Sequence, residues 1–134
     1  MGLAISKQIF TEILAHSSQA APIAACGYLA AGKQSVEQLY RLSNRDQAAD
    51  HFTMEPAEQF SVIKKIRSQG LVLRALYHSH LLSPALPSAE DIRWAADPHI
   101  SYVILSLQDR KPPIIKSFII QKGQVAEEQV TIID

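Results

Sequence analysis

Two histidines one residue apart, His78 and His80, are the residues of this chain whose types and spacing most clearly offer chemistry. They follow the apolar stretch 71–77, which predicts a buried strand. Because side chains at positions i and i+2 of a strand point to one face, the two imidazoles should project together while Ser79 points away. Neutral imidazoles are good zinc ligands. On spacing alone, however, two surface histidines at a strand end are the simpler explanation.

An acidic residue follows at the start of the next predicted helix. Residues 88–91, Ser-Ala-Glu-Asp, come directly after a loop that contains two prolines. In a capping box, Ser88 is the N-cap and Asp91 stands three residues later. An acid in the first turn also suits the helix dipole. By itself, this pattern favours a helix cap over a metal ligand.

Together, these residues form a longer pattern. The His-Ser-His of residues 78–80, seven intervening residues and the Ser-Ala-Glu-Asp of residues 88–91 resemble the signature His-x-His-x7-Ser-x-x-Asp of the JAMM (MPN-plus) metallopeptidases. The spacing and all four residue types match. Residues 26–29, Cys-Gly-Tyr-Leu, are similar to the family's first-strand motif, commonly Glu-x-Cys-Gly-x-Leu. The strand predicted at 100–107 resembles the one that follows the family's active-site helix, so the resemblance covers most of the chain.

The resemblance implies a zinc site with defined roles. His78, His80 and Asp91 would bind the metal, and Ser88 would support the oxyanion and the bound water. Three protein ligands leave one position for water, as in catalytic zinc sites. Such a site lowers the pKa of the water towards neutrality and polarises a scissile carbonyl.

One catalytic group of the family is missing. The family's glutamate stands three residues before the glycine of the first-strand motif, where this chain has Ala24, either natural or an engineered Glu→Ala change. Losing such an acid/base typically costs 10²–10⁴-fold in rate, about 3–5 kcal/mol. No replacement is apparent. Glu12 is predicted on the solvent side of the first helix, and nothing aims His16 at the zinc. Glu90 points about 100° away from Asp91 on its helix.

The order of the helices and strands that must position these residues predicts one domain, 1–134, of the α/β (α+β) class. A mixed sheet flanked by helices is expected, with the JAMM/MPN, cytidine-deaminase-like architecture that the resemblance implies. The predicted order is α-β-β-α-β-α-β-β-β. The predicted elements are a helix at 6–17 with Ser6 as N-cap, strands at 25–30 and 36–42, a helix from Pro56 to Gly70, the strand 71–77, a helix from Ser88 to Pro98, and strands at 100–107, 114–121 and 125–133.

Composition narrows the class of protein. The chain has 134 residues, 47% of them apolar and 19% charged, and its thirteen basic residues balance thirteen acidic ones. No basic block predicts a nucleic-acid or membrane partner. With one cysteine, Cys26, no signal peptide and no apolar stretch of about 20 residues, a cytoplasmic protein is expected. Cys26 is predicted to be a small buried hydrophobe, and Trp94 is predicted to cover the core in preference to lining a groove.

The function that the resemblance implies is zinc-dependent hydrolysis after the C-terminal glycine tail of a ubiquitin-like or sulfur-carrier protein. Ala24 predicts that this activity is impaired. Such a tail would lie as an extended strand paired to a sheet edge. The alternatives are a non-catalytic zinc-containing module that binds such tails and a metal-free MPN scaffold. The oligomeric state stays open.

Overall fold

The computed structural model describes residues 2–108 and 112–134. Within these ranges, seven strands and three helices follow one another in the order β-α-β-β-α-β-α-β-β-β. None of the helices described there combines the length and the apolar character needed to cross a bilayer. The elements are β1 (Gly2–Ser6), α1 (Lys7–Ala20), β2 (Cys26–Ala31), β3 (Val36–Leu42), α2 (Pro56–Ser68), β4 (Val72–His80), α3 (Ala89–Trp94), β5 (Ser101–Ser106), β6 (Ile114–Gln121) and β7 (Gln124–Ile133).

The structure adds one strand to the predicted order. β1 precedes α1 and pairs in parallel with β7, from Gly2 opposite Gln129 to Ser6 opposite Ile133. Its pairing partner lies at the other end of the chain, so no local pattern in the sequence reveals it. The predicted helix cap is confirmed, because the Oγ atom of Ser6 accepts a hydrogen bond from the N–H of Ile9 at 3.0 Å.

The sheet is mixed, as predicted, with the strand order β1-β3-β2-β4-β5-β6-β7. It curls until β1 also pairs with β7, so its two margins meet. β4 lies between β2, which is antiparallel to it, and β5, which is parallel. This central position explains the nearly continuous apolar sequence of β4. The predicted α/β (α+β) class, a mixed sheet with helices on its faces, is confirmed.

The two longer helices cover opposite faces of the sheet. Ile9 and Ile13 of α1 are buried in one cluster with Leu29 of β2. Val62 of α2 belongs to another cluster, which contains Tyr28, the residue before Leu29 in β2. Neighbouring residues of a strand face opposite sides, so β2 is covered on both. Packing on both faces holds β2 and β4 in place in the sheet, and the candidate site lies where these two strands meet.

The glycine after Cys26 has a steric reason. A Cβ atom at Gly27 would overlap both the ring of Tyr77 on β4 and the carbonyl oxygen of Tyr40 on β3. The Tyr77 ring therefore crosses over Gly27 in a way that no larger residue would permit. The packing of Tyr77 against Gly27 therefore positions β4 relative to β2 at the residue before His78.

Candidate metal centre

β4 carries His78 and His80 on the same face of the sheet. The Nε2 atoms of the two imidazoles lie 3.1 Å apart. Ser79, between them, reaches instead to β2, where its Oγ atom accepts a hydrogen bond from the N–H of Ala25 at 2.8 Å. This is the arrangement that the alternation of side chains along a strand predicts. His78 is buried and His80 is partly buried.

α3 brings Asp91 to the two histidines. Ser88 is the N-cap, and its Oγ atom accepts from the N–H of Asp91 at 3.0 Å, while Oδ2 of Asp91 accepts from the N–H of Ser88 at 2.9 Å. The same Oδ2 atom lies 3.2 Å from Nε2 of His78 and 3.1 Å from Nε2 of His80. The predicted capping box is thus present, and the cap itself directs the carboxylate to the imidazoles.

The three facing atoms match the size of a zinc site. They form a nearly equilateral triangle with edges of 3.1, 3.1 and 3.2 Å. Ligand atoms about 2.0–2.1 Å from a tetrahedral zinc ion lie about 3.3 Å from one another. Two imidazole nitrogens and one carboxylate oxygen are also a donor set that zinc accepts. His78, His80 and Asp91 therefore fit a zinc ion.

Hydrogen bonding orients the imidazole of His80. Its Nδ1 atom lies 2.8 Å from the carbonyl oxygen of Pro84, so Nδ1 donates and Nε2 presents a lone pair when the ring is neutral. Burial lowers the pKa of His80, but hydrogen bonds to Asp91 and Pro84 raise it overall. For the carboxyl group of Asp91 the effects are reversed. Burial raises its pKa, but hydrogen bonds to the imidazoles of His78 and His80 hold the pKa well below its usual range. The cluster therefore favours a positive charge at its centre.

His78 is held by packing instead. Its Nδ1 atom is buried and has no hydrogen-bond partner among the residues that the structure describes. The ring of Phe52 lies against it, with centroids 4.7 Å apart and planes inclined by 32°. Since Phe52 belongs to the segment between β3 and α2, that segment helps to position the imidazole of His78.

A cavity of about 420 Å³ opens beside these side chains. His78, Glu90 and Asp91 line part of it. The segment 51–54 supplies another wall that the sequence did not predict, because no local pattern connects this loop to β4. The other walls are mainly apolar. Its apolar lining residues include Phe52, Met54, Leu76, Pro87, Trp94, Ala95, Tyr102, Ile104 and Ile120.

Two predictions about single residues have opposite outcomes. Trp94 was expected to cover the core, and this is wrong: the residue is 72% exposed and lines the cavity. α3 has only six residues and none of them is buried, so Trp94 has no core surface to cover from this helix. The prediction for Cys26 is confirmed, since it is fully buried and burial raises the pKa of its thiol to about 12.

Ala24 lies next to the candidate metal ligands in the pairing of β2 with β4. The N–H of Ser79 donates to the carbonyl oxygen of Ala25 at 3.0 Å, which continues the pairing of Cys26 with His78. The same register places Ala24 opposite His80, on the face of the sheet that carries both histidines. A carboxyl group at position 24 would therefore lie on the same face of the sheet as the cluster. The methyl group of Ala24 offers neither a proton nor a lone pair.

Three other titratable side chains are candidates to replace the missing acid/base of position 24. Glu90 lines the cavity with His78. His16 is engaged elsewhere, with its Nδ1 atom 2.6 Å from the hydroxyl of Tyr77. Glu12 is partly buried on α1, which corrects the expectation of a fully solvated position. Of the three, Glu90 alone lines the cavity beside the cluster.

Comparison with known proteins places these observations in one family. The family described as prokaryotic homologs of the JAB domain matches residues 6–120. The chain belongs to this family. The matched range includes every residue of the candidate metal centre and Ala24.

Relatives of this JAB-domain chain include named peptidases. The "CysO-cysteine peptidase" of Mycobacterium tuberculosis is 28% identical over 134 residues, covering 98% of this chain and 92% of the relative. The "Probable TtuB-protein conjugate cleaving protease" of Thermus thermophilus is 31% identical over 126 residues, covering 91% of this chain and 78% of the relative. Among solved structures, protein DSY2949 of Desulfitobacterium hafniense has a TM-score of 0.89 and 42% identity, covering 97% of this chain and 92% of that one.

Proposed function

We propose that this chain is a zinc-binding protein of the JAMM peptidase type that recognises the C-terminal glycine tail of a ubiquitin-like or sulfur-carrier protein and cleaves after it slowly. The observation that carries the proposal is the triangle of His78 Nε2, His80 Nε2 and Asp91 Oδ2, with edges of 3.1–3.2 Å, beside an apolar cavity. The names of the two relatives, a CysO-cysteine peptidase and a probable protease that cleaves TtuB–protein conjugates, support it.

In this proposal, His78, His80 and Asp91 would hold the zinc ion. Zinc bound there would supply Lewis-acid chemistry, polarising the scissile carbonyl and making water a better nucleophile. Ser88 uses a lone pair of Oγ for the helix cap, so its O–H is available to donate to a developing oxyanion. Its part is to stabilise the negative charge that forms on the carbonyl oxygen.

The apolar cavity would take the tail. Two glycines lack side chains, so the tail can approach the cluster closely without a steric clash. The expected pairing of the tail with a sheet edge cannot be with β4, the strand that carries the histidines, because β2 and β5 pair with it on either side. We propose that the tail lies across the cavity walls instead, where Trp94 and Phe52 offer apolar surface.

Ala24 sets the rate in this proposal. Without a carboxyl group at this position, no positioned acid stands opposite His80 to protonate the leaving amine. Glu90 lines the cavity, but it is adjacent to Asp91 in the helix. Adjacent helical residues point about 100° apart, so its side chain points away from that of Asp91. Slow or undetectable turnover with retained tail binding is therefore expected.

The test is a cleavage assay on the zinc-loaded protein, with a carrier protein that ends in Gly-Gly followed by one amino acid. Ala24→Glu should raise the rate at least about 10²-fold and leave the Kd for the tail nearly unchanged. Ala126→Glu is a control that adds the same charge at an exposed position of β7. If the unaltered chain already turns over at ordinary enzyme rates, another residue is the base. If Ala24→Glu is inert on every such substrate, the peptidase proposal fails.

The second candidate function is a non-catalytic module that binds such tails, and Ala24 favours it. Retained tail binding without any gain from Ala24→Glu would support this candidate. A metal-free MPN scaffold is the third alternative. The three ligand side chains, all present and facing one another, count against it.

A further inference from the structure

The loop between β4 and α3 carries the carbonyl group that orients His80. The carbonyl oxygen of Pro84 lies 2.8 Å from Nδ1 of His80 and also accepts a hydrogen bond from the N–H of Leu86 at 2.8 Å. A metal-binding imidazole is aimed by the hydrogen bond that its other ring nitrogen makes. The direction in which Nε2 of His80 points therefore depends on where this loop holds Pro84.

Ser106 connects this loop to the neighbouring strand. It is the last residue of β5, pairs with His80 across the parallel ladder and is only 3% exposed. Paired residues of neighbouring strands point to the same face of a sheet, so the Ser106 hydroxyl lies on the face of the candidate metal centre. Its Oγ atom donates to the carbonyl oxygen of Ser83 at 2.7 Å. This hydrogen bond is made one residue before Pro84.

The hydroxyl of Ser106 has a defined direction. The N–H of Gln108 donates to the same Oγ atom at 3.2 Å. A serine hydroxyl has one proton, and here that proton is directed at the carbonyl oxygen of Ser83. Removing the hydroxyl would take away the partner of both groups, which is costly where they are shielded from water. The Ser106 side chain thus acts as a bridge between the end of β5 and the loop.

The other contacts of the loop are less specific. The Nε2 atom of Gln108 donates to the carbonyl oxygen of Leu82 at 3.3 Å, in an exposed position. Ala85 is buried in one cluster with Ile104. Packing of a single methyl group keeps the loop near the sheet, but it is not directional. The short hydrogen bond from Ser106 therefore contributes most to the position of the backbone next to Ser83.

We propose that Ser106 is a positioning residue of the candidate metal centre. Through Ser83, it keeps the carbonyl group of Pro84 against Nδ1 of His80, so that Nε2 of His80 faces the other two ligand side chains. Ser106 is not a ligand, since its Oγ atom is engaged by Ser83 and Gln108. The inference rests on the proposed function only in requiring that zinc binds at this centre.

The first measurement is the zinc affinity, from competition with a chelator. Ser106→Ala should weaken zinc binding about tenfold, the lower end of the effect of removing a group that supports a ligand, because Ser106 acts through the loop. Ser106→Thr keeps a hydroxyl and should restore most of the affinity. Ser117→Ala is the matched control, since Ser117 on β6 is fully buried and its Oγ donates to Glu128. This control loses a buried hydroxyl but should bind zinc as tightly as the unaltered chain.

The second measurement is the tautomer of His80 in the metal-free protein. NMR of the imidazole nitrogens, at a pH where the ring is neutral, should place the proton on Nδ1 in the unaltered chain and in Ser117→Ala. Ser106→Ala should increase the share of the tautomer protonated at Nε2, because the carbonyl acceptor is no longer held in place. Ser106→Val and Ser106→Thr fill the same space and differ in the hydroxyl, so they give the same comparison if Ser106→Ala does not fold.

The outcomes separate this inference from the proposed function. Equal zinc affinities of the unaltered chain and Ser106→Ala overturn the inference, while zinc binding itself still supports the proposed function. An equal loss in Ser117→Ala, or a loss without a change of the His80 tautomer, also overturns it, since either result shows general loosening of the fold. If the chain binds no zinc but the tautomer depends on Ser106, the positioning of His80 stands and the proposed function fails.

Discussion

His16 and Tyr77 are joined by a hydrogen bond of 2.6 Å between Nδ1 and the phenol hydroxyl, which links α1 to β4 one residue before the candidate metal ligand His78. The two rings meet edge to face, with planes inclined by 78°. Tyr77 is fully buried, and its ring crosses over Gly27. The face of β4 opposite the metal centre is therefore held by packing and by one polar contact.

The pKa of His16 predicts how stability depends on pH. Its folded-state pKa is about 4 and its ordinary value is 6.5. Between these values the unfolded chain binds a proton that the folded chain does not, so stability falls as pH decreases from about 6.5 to about 4. Because the ring is only partly buried, about 1–2 kcal/mol of unfolding free energy is expected from this group. Urea unfolding at several pH values measures it.

His16→Gln should reduce the pH dependence of the unfolding free energy over this window. His99→Gln is the matched control, since the side chain of His99 is 90% exposed. An unchanged slope in His16→Gln would contradict the assignment.

Zinc content tests the candidate metal centre directly. Protein purified without chelator should contain one zinc per chain, measured by elemental analysis. His80→Ala should abolish binding, because two remaining ligands rarely hold zinc. His99→Ala removes a histidine far more exposed than His80 and should retain the metal. Well below one equivalent in the unaltered chain, even after zinc is added, would refute the metal centre.

Gly27→Ala should destabilise the fold. The added methyl group would overlap the ring of Tyr77 and the carbonyl oxygen of Tyr40, neither of which can move freely within the sheet. Overpacking of this kind costs about 1–3 kcal/mol. Thr131→Ala, at an exposed position of β7, should change the unfolding free energy by less than about 0.5 kcal/mol. Equal midpoints of urea unfolding for the two variants would show that the sheet accommodates the methyl group.

Trp94→Ala should weaken binding of a Gly-Gly tail peptide by about tenfold, because the indole is an exposed wall of the apolar cavity. Phe60→Ala is the control, since Phe60 on α2 is 65% exposed but does not line this cavity. Calorimetric titration of both variants decides the point. Equal affinities for the peptide would place the tail elsewhere.

The sequence determined the parts of this protein that depend on local pattern. The alternation of side chains along a strand placed His78 and His80 on one face. The Ser88–Asp91 spacing predicted the helix cap, and the cap is the contact that directs Oδ2 of Asp91 to the histidines. The strands and helices between Cys26 and Gln121 were predicted within a few residues of their observed ends, because their apolar periodicity is local.

The tertiary structure decided what depends on distant pairing. β1 exists because Gly2–Ser6 pairs with β7 at the opposite end of the chain, and no neighbouring residue encodes that contact. Phe52 became a neighbour of His78 and Trp94 a cavity wall only when the loop before α2 and the short α3 packed around β4 and β5. Likewise, only the packing of α1 against β2 and β3 brings His16 and Arg41 to one cavity with Ala24. Side chains separated by many residues meet only when the sheet is assembled, since burial and not local spacing selects those contacts.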